Sequence, residues 1–147
     1  MKDWRSQSHV KWDCKYHIVI VPKYRRRKFY GSLRSEIGKI LRQLCRQKDI
    51  ELVNGNAGNA LPDHVHLLLS VPPKYSIANT VGFLKGKSAI RINRDLGGVK
   101  GSLYGRAFWS RGYCVSTVGL DEAMIKKYIQ NQEEHERDEE RGLFKLD

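Results

Sequence analysis

Leu61-Pro-Asp-His-Val-His-Leu-Leu-Leu-Ser70 is a stretch with two unlike faces. From about Asp63 to Val71 the apolar residues recur with period two, which is the repeat of a strand. Val65, Leu67, Leu69 and Val71 make a core face. His64, His66 and Leu68 fall on the other. Pro72-Pro73 stops the strand, and Ser76 is a helix N-cap for residues up to about Asn93. The apolar stripe of that helix includes Ile77, Val81, Leu84 and Ala89, although Gly82 and Gly86 weaken its propensity.

Upstream, Trp12, Cys14, Tyr16, Ile18 and Ile20 alternate with Asp13, Lys15, His17 and Val19, a strand ended by Pro22. Leu33, Ile37, Ile40, Leu41, Leu44 and Cys45 then follow helical spacing. Residues 50–59 read as a short strand running into a turn-rich segment. Residues 95–106 are a Gly-rich loop, and 107–118 a final strand. Asp121-Glu122 open a last helix, where negative charge suits the helix dipole. The order is β-α-β-β-α-β plus a C-terminal helix. It predicts an α+β, ferredoxin-like or RRM-like antiparallel sheet with helices on one face. The two histidines then lie on the opposite face.

At 147 residues the chain is most simply one domain. Its formal charge of +11 is unevenly spread. Residues 1–50 hold 14 Lys/Arg against 4 Asp/Glu, residues 51–118 hold 8 against 3, and residues 119–147 hold 5 against 9. The basic part suits a polyanion and the acidic end does not. Cys14, Cys45 and Cys114 are unclustered, which argues against a disulfide framework or zinc knuckle. No apolar run approaches the length of a membrane span or reads as a signal peptide. The expected compartment is the cytosol, at the nucleoid.

Two imidazoles two apart on a strand share a face and can hold a divalent cation. Tyr128 and Gln132, four apart on the last helix, also share a face. They can present a nucleophile and one further oxygen ligand. Together the pairs point to metal-assisted phosphodiester chemistry through a tyrosine. Asn131, Glu133 and His135 compete with Gln132 as ligands, and His17 is either a fourth ligand or a hydrogen-bonding neighbour. Lys23-Tyr-Arg-Arg-Arg-Lys-Phe-Tyr30 interleaves cations with aromatics. Arg25, Arg26, Arg27 and Lys28 are therefore candidate DNA contacts, with Lys85 and Lys87 as an extension. The plainer reading of that run is a solvated loop with Phe29 or Tyr30 closing the core.

The segments Cys14-Lys-Tyr-His-Ile-Val-Ile20, Pro22-Lys-Tyr-Arg-Arg26, Asp63-His-Val-His66, Phe83-Leu-Lys-Gly-Lys-Ser88, Phe108-Trp-Ser-Arg-Gly-Tyr113 and Tyr128-Ile-Gln-Asn-Gln132 carry a resemblance. The chain resembles the single-tyrosine transposases of small bacterial insertion sequences, in the His-hydrophobe-His (HUH) nuclease superfamily. The resemblance implies one HUH domain over 1–147, with residues 120–141 as a mobile or docking catalytic helix. It implies Tyr128 as nucleophile, a 5′-phosphotyrosine intermediate, and Mg²⁺ or Mn²⁺ on His64, His66 and Gln132. It also implies hairpin-bearing single-stranded DNA as substrate, and a homodimer whose protomers share active sites. Two other readings are a domesticated relative that processes palindromic repeats and a non-catalytic RRM-like binding module.

Overall fold

The computed structural model describes residues 5–7, 10–53, 64–96, 108–117 and 122–145. Among the described residues, six strands and three α-helices follow in chain order. β1 (Arg5–Gln7) and β2 (Val10–Trp12) form a separate antiparallel hairpin. β3 (Lys15–Ile20), β4 (Glu51–Leu52), β5 (Val65–Ser70) and β6 (Cys114–Ser116) make the main sheet, in the order β4-β5-β3-β6. All its pairings are antiparallel. With α1 (Arg27–Gln47) between β3 and β4, and α2 (Ile77–Asp95) between β5 and β6, this is the expected split β-α-β plan.

The alternation read in β5 is the alternation observed. Val65, Leu67 and Leu69 are buried together with Ile18 and Ile20 of β3, against Tyr30, Ile37, Leu41 and Leu44 of α1 and Val81, Leu84 and Ile92 of α2. Ser76 caps α2 as its position implies: its side chain accepts from the Asn79 N–H at 3.0 Å, a contact worth about 1 kcal/mol.

Four boundaries differ from the sequence reading. The first strand is broken, because Val10–Trp12 pairs with Arg5–Gln7 and only Lys15–Ile20 enters the main sheet. The basic run is helical rather than a loop: Tyr24–Arg26 form a 3-10 turn that continues into α1. The strand expected over 107–118 is confined, among the described residues, to Cys114–Ser116 and an isolated bridge between Pro22 and Trp109. Asp95, read as loop, closes α2. The expected readings of the turn-rich residues 54–59, of Asp63 and Asp121, and of most of the Gly-rich loop lie outside the described residues.

The second face of the sheet, where the two histidines were expected, is covered by α3 (Glu122–Lys145). Ile129 packs on Val19 and Val21, with Cys114 and Tyr128 against the same cluster. α1 and α2 therefore hold one side of the sheet, and the tyrosine-bearing helix lies on the other.

Candidate active site

Register places the site residues. Val19 of β3 stands between His66 of β5 and Cys114 of β6. Facing residues in antiparallel strands share a face, so these three share the side that α3 covers. His17, two residues before Val19, is diagonal to His66, and its Nδ1 lies 3.2 Å from His66 Nε2. His64 is buried at 5 % exposure. It precedes β5, with its carbonyl 3.5 Å from the Tyr30 hydroxyl.

Burial, then His17, then His64 hold the His66 imidazole below its ordinary pKa. A neutral imidazole is the ligand-competent form. Two imidazoles and an amide oxygen are donors that could hold a divalent ion.

α3 supplies the other half. Tyr128 and Gln132 converge on Gly112. A methyl group built at Gly112 would meet Gln132 Nε2 at 3.6 Å and the Tyr128 hydroxyl at 3.7 Å. Gly112 has φ +78, a conformation that favours glycine. Its loop is clamped from below: the Lys85 ammonium donates to the carbonyls of Ser110 at 2.7 Å and Gly112 at 2.8 Å.

The Tyr128 hydroxyl is buried, and it makes no hydrogen bond of normal geometry among the described residues. Burial first, then Cys114, push its pKa up to about 12; the neighbouring Gln132 amide pulls down and Glu136 pushes up. Left to itself this phenol is a poor nucleophile.

The competing ligands separate in three dimensions. Asn131 is exposed. Glu133 is turned to Arg27, at 3.5 Å, and to Arg137. His135 is exposed and pairs with Glu139 at 2.9 Å. Of the four, Gln132 is the residue beside the Tyr128 hydroxyl.

The candidate DNA cations also separate. Lys28 and Lys87 are exposed. Arg25 Nε lies 2.6 Å from Glu140, and Arg27 faces Glu133, so both are tied to α3. Arg26 is partly buried beside them. Lys85 does not extend an open basic surface, because its ammonium is half-buried and engaged by the loop carbonyls; burial also lowers its pKa.

The sequence reading missed Gly112, Cys114 and Glu136. Cys114 stands on the Tyr128 face, although no cysteine was expected near the site. A Gly within the Phe108–Tyr113 segment was the only available sign, and it does not say what approaches it.

The family described as IS200-like transposases matches residues 10–132. The chain is 44 % identical over 137 residues to the transposase of insertion sequence IS200 from Salmonella typhimurium, covering 93 % of this chain and 88 % of that one. It is 35 % identical over 126 residues to the ISDra2 transposase TnpA of Deinococcus radiodurans, covering 85 % and 88 %. A crystal structure of a candidate transposase from Deinococcus radiodurans R1 superposes with a TM-score of 0.72 at 33 % identity, over 87 % of this chain and 96 % of that one. The chain belongs to the IS200-like transposase family, the single-tyrosine class it resembles. Its function is that of a transposase, an enzyme that cuts DNA. Among the described residues no helix is long and apolar enough to cross a membrane.

Proposed function

We propose that the protein cuts and rejoins single-stranded DNA at hairpin-bearing ends, with Tyr128 as nucleophile and Mg²⁺ or Mn²⁺ held by His64, His66 and Gln132. The observation that carries this reading is the convergence of Tyr128 and Gln132 at Gly112, on a helix laid over the sheet face of His66.

In the cutting step the phenolic oxygen bonds to phosphorus, and the bond from phosphorus to the neighbouring 3′-oxygen breaks. The phenolic proton is passed on to that leaving oxygen. A 5′-phosphate stays on Tyr128 and a 3′-hydroxyl is released. A second 3′-hydroxyl reverses the exchange, one phosphodiester for another, so no ATP is needed. Gln132 and the Gly112 loop hold the ring in place, and α3 keeps water from the sheet face. A bound divalent ion would draw charge from the scissile phosphate and offset the raised pKa of the phenol.

Incubation with single-stranded flanking DNA and Mg²⁺ or Mn²⁺ is expected to give a covalent adduct, mapped to Tyr128 by mass spectrometry. Tyr128→Phe should form none. It should bind DNA as before and be about as stable as the parent, because only the hydroxyl is removed and the ring keeps its packing against Val19, Val21 and Ile129. An adduct on another residue, or full cleavage by the Phe variant, refutes the mechanism.

The homodimer with shared sites is part of this proposal. In the single chain α3 lies on its own sheet, so sharing requires residues 120–141 to leave one protomer and make the same contacts on its partner. Mixed Tyr128→Phe and His64→Ala subunits should then recover activity. Failure to complement in proven heterodimers limits the site to one chain.

A further inference from the structure

Among the described side chains of α3, residues 127–140, only Ile129 and Glu136 are buried. One is apolar and sits beside Tyr128. The other is a carboxylate at 8 % exposure, seven residues further on. Two turns of helix separate them, about 10 Å at the usual rise. A helix held at a single point can still pivot, whereas two separated points fix its direction and rotation.

Glu136 docks on a backbone N–H that would otherwise lack a partner and on a buried hydroxyl. The turn that opens at Tyr24 has no side-chain cap from Lys23 before it. Its first N–H groups have no partner within the helix. Glu136 Oε2 accepts the Tyr24 N–H at 2.6 Å, across 112 residues of chain. A carboxylate at a helix start is also favoured by the helix dipole. The other oxygen, Oε1, accepts from the Ser110 hydroxyl, which lies 3.3 Å from the Pro22 carbonyl as well. Ser110 is itself fixed: its N–H donates to Val21 at 2.7 Å and its carbonyl accepts from Lys85. Through Glu136, α3 therefore grips both the start of α1 and the loop that leads to Gly112. Arg25–Glu140, Arg27–Glu133 and the Arg137 guanidinium, 5.0 Å from the Tyr24 ring centre, surround this contact.

We propose that Glu136 is a positioning residue for Tyr128: its carboxylate latches α3 to the Tyr24 N–H and the Ser110 hydroxyl, and this latch holds Tyr128 at Gly112. The proposal rests on the nucleophile reading above for its effect on cleavage. Its effect on helix docking does not depend on that reading. Without the latch, α3 would be held by the Ile129 and Tyr128 packing and by the more exposed ion pairs of Glu133 and Glu140.

The test compares Glu136→Ala with Glu136→Gln in the full chain. Glutamine keeps an acceptor for Tyr24 and a polar partner for Ser110 but drops the charge. Alanine removes everything. In Glu136→Ala, backbone amides of residues 127–140 should exchange with deuterium faster, in metal-free protein, while β3 and β5 stay protected. Adduct formation on Tyr128 should fall about 10- to 100-fold, the size expected for losing two buried hydrogen bonds. Affinity for single-stranded DNA should be unchanged or tighter. Glu136→Gln should stay near the parent in exchange and rate. If alanine prevents folding, Ser110→Ala serves instead and should speed α3 exchange to a smaller degree.

Equal losses in the alanine and glutamine variants would point to net charge and overturn the latch. So would parental α3 exchange in Glu136→Ala. If the parent protein gives no Tyr128 adduct, the nucleophile reading fails. Faster α3 exchange in Glu136→Ala would still support the latch.

Discussion

His17 and His66 meet across β3 and β5, with Nδ1 of one 3.2 Å from Nε2 of the other. At that distance one ring donates its N–H to the lone pair of the other. An ion on His66 Nε2 must replace this hydrogen bond or draw His17 in as a further ligand. Mn²⁺ titration followed by NMR should therefore broaden the ring signals of His64, His66 and His17 together. His64→Ala/His66→Ala should abolish both the broadening and cleavage, while leaving DNA binding largely intact. Cleavage that survives excess EDTA would exclude the metal. Because the His66 pKa is lowered, its ring remains neutral further into acid than an ordinary histidine. Metal binding should persist below about pH 6.5, the usual histidine midpoint, and be lost as the pH falls through the lowered value. The same shift makes folding less favourable in acid, since the unfolded chain takes up the proton first.

Gly112→Ala should damage the site more than the fold. A left-handed φ of +78 costs a non-glycine residue about 1–2 kcal/mol. The added methyl would lie at ordinary contact distance from Gln132 and Tyr128, so the strain falls on the loop that both approach. A modest drop in melting temperature with a larger drop in adduct rate is expected. A parental rate would show that the loop is not part of the site.

Charge-neutral substitutions at Arg25, Arg26, Arg27 and Lys28 should flatten the dependence of DNA affinity on salt. Each lost phosphate contact should lower the slope by about 0.7 on single strands. Arg25→Gln and Arg27→Gln should also loosen α3, because they release Glu140 and Glu133. Lys28→Gln should not. An unchanged slope across the set would move the DNA surface elsewhere.

Gly82→Ala and Gly86→Ala should stabilise the protein. Both glycines are exposed in α2, and an added methyl at either meets nothing within 4 Å. Each change should add about 0.5–1 kcal/mol by helix propensity, read as a shift of the denaturant midpoint. A loss at either position would reveal a close approach absent from the single chain, such as a partner subunit or DNA.

Periodicity alone carried much of this protein. The two faces of β5, the buried stripe of α1 and the shared face of Tyr128 and Gln132 all follow from backbone repeats of 2 and 3.6 residues, and the Ser76 cap from its residue type at the helix start. These are local properties, and a linear pattern reports them. Which charged groups are engaged is not local. Arg25 and Lys85 look alike in sequence as phosphate-binding cations, yet one meets Glu140 and the other the Ser110 and Gly112 carbonyls. Glu136 is one of nine carboxylates in residues 119–147, and becomes buried only because Tyr24 and Ser110 arrive from far along the chain. Val19 reads as a residue on a polar face until α3 covers it. Burial and pairing of this kind depend on which surfaces pack together, so tertiary structure alone decided them.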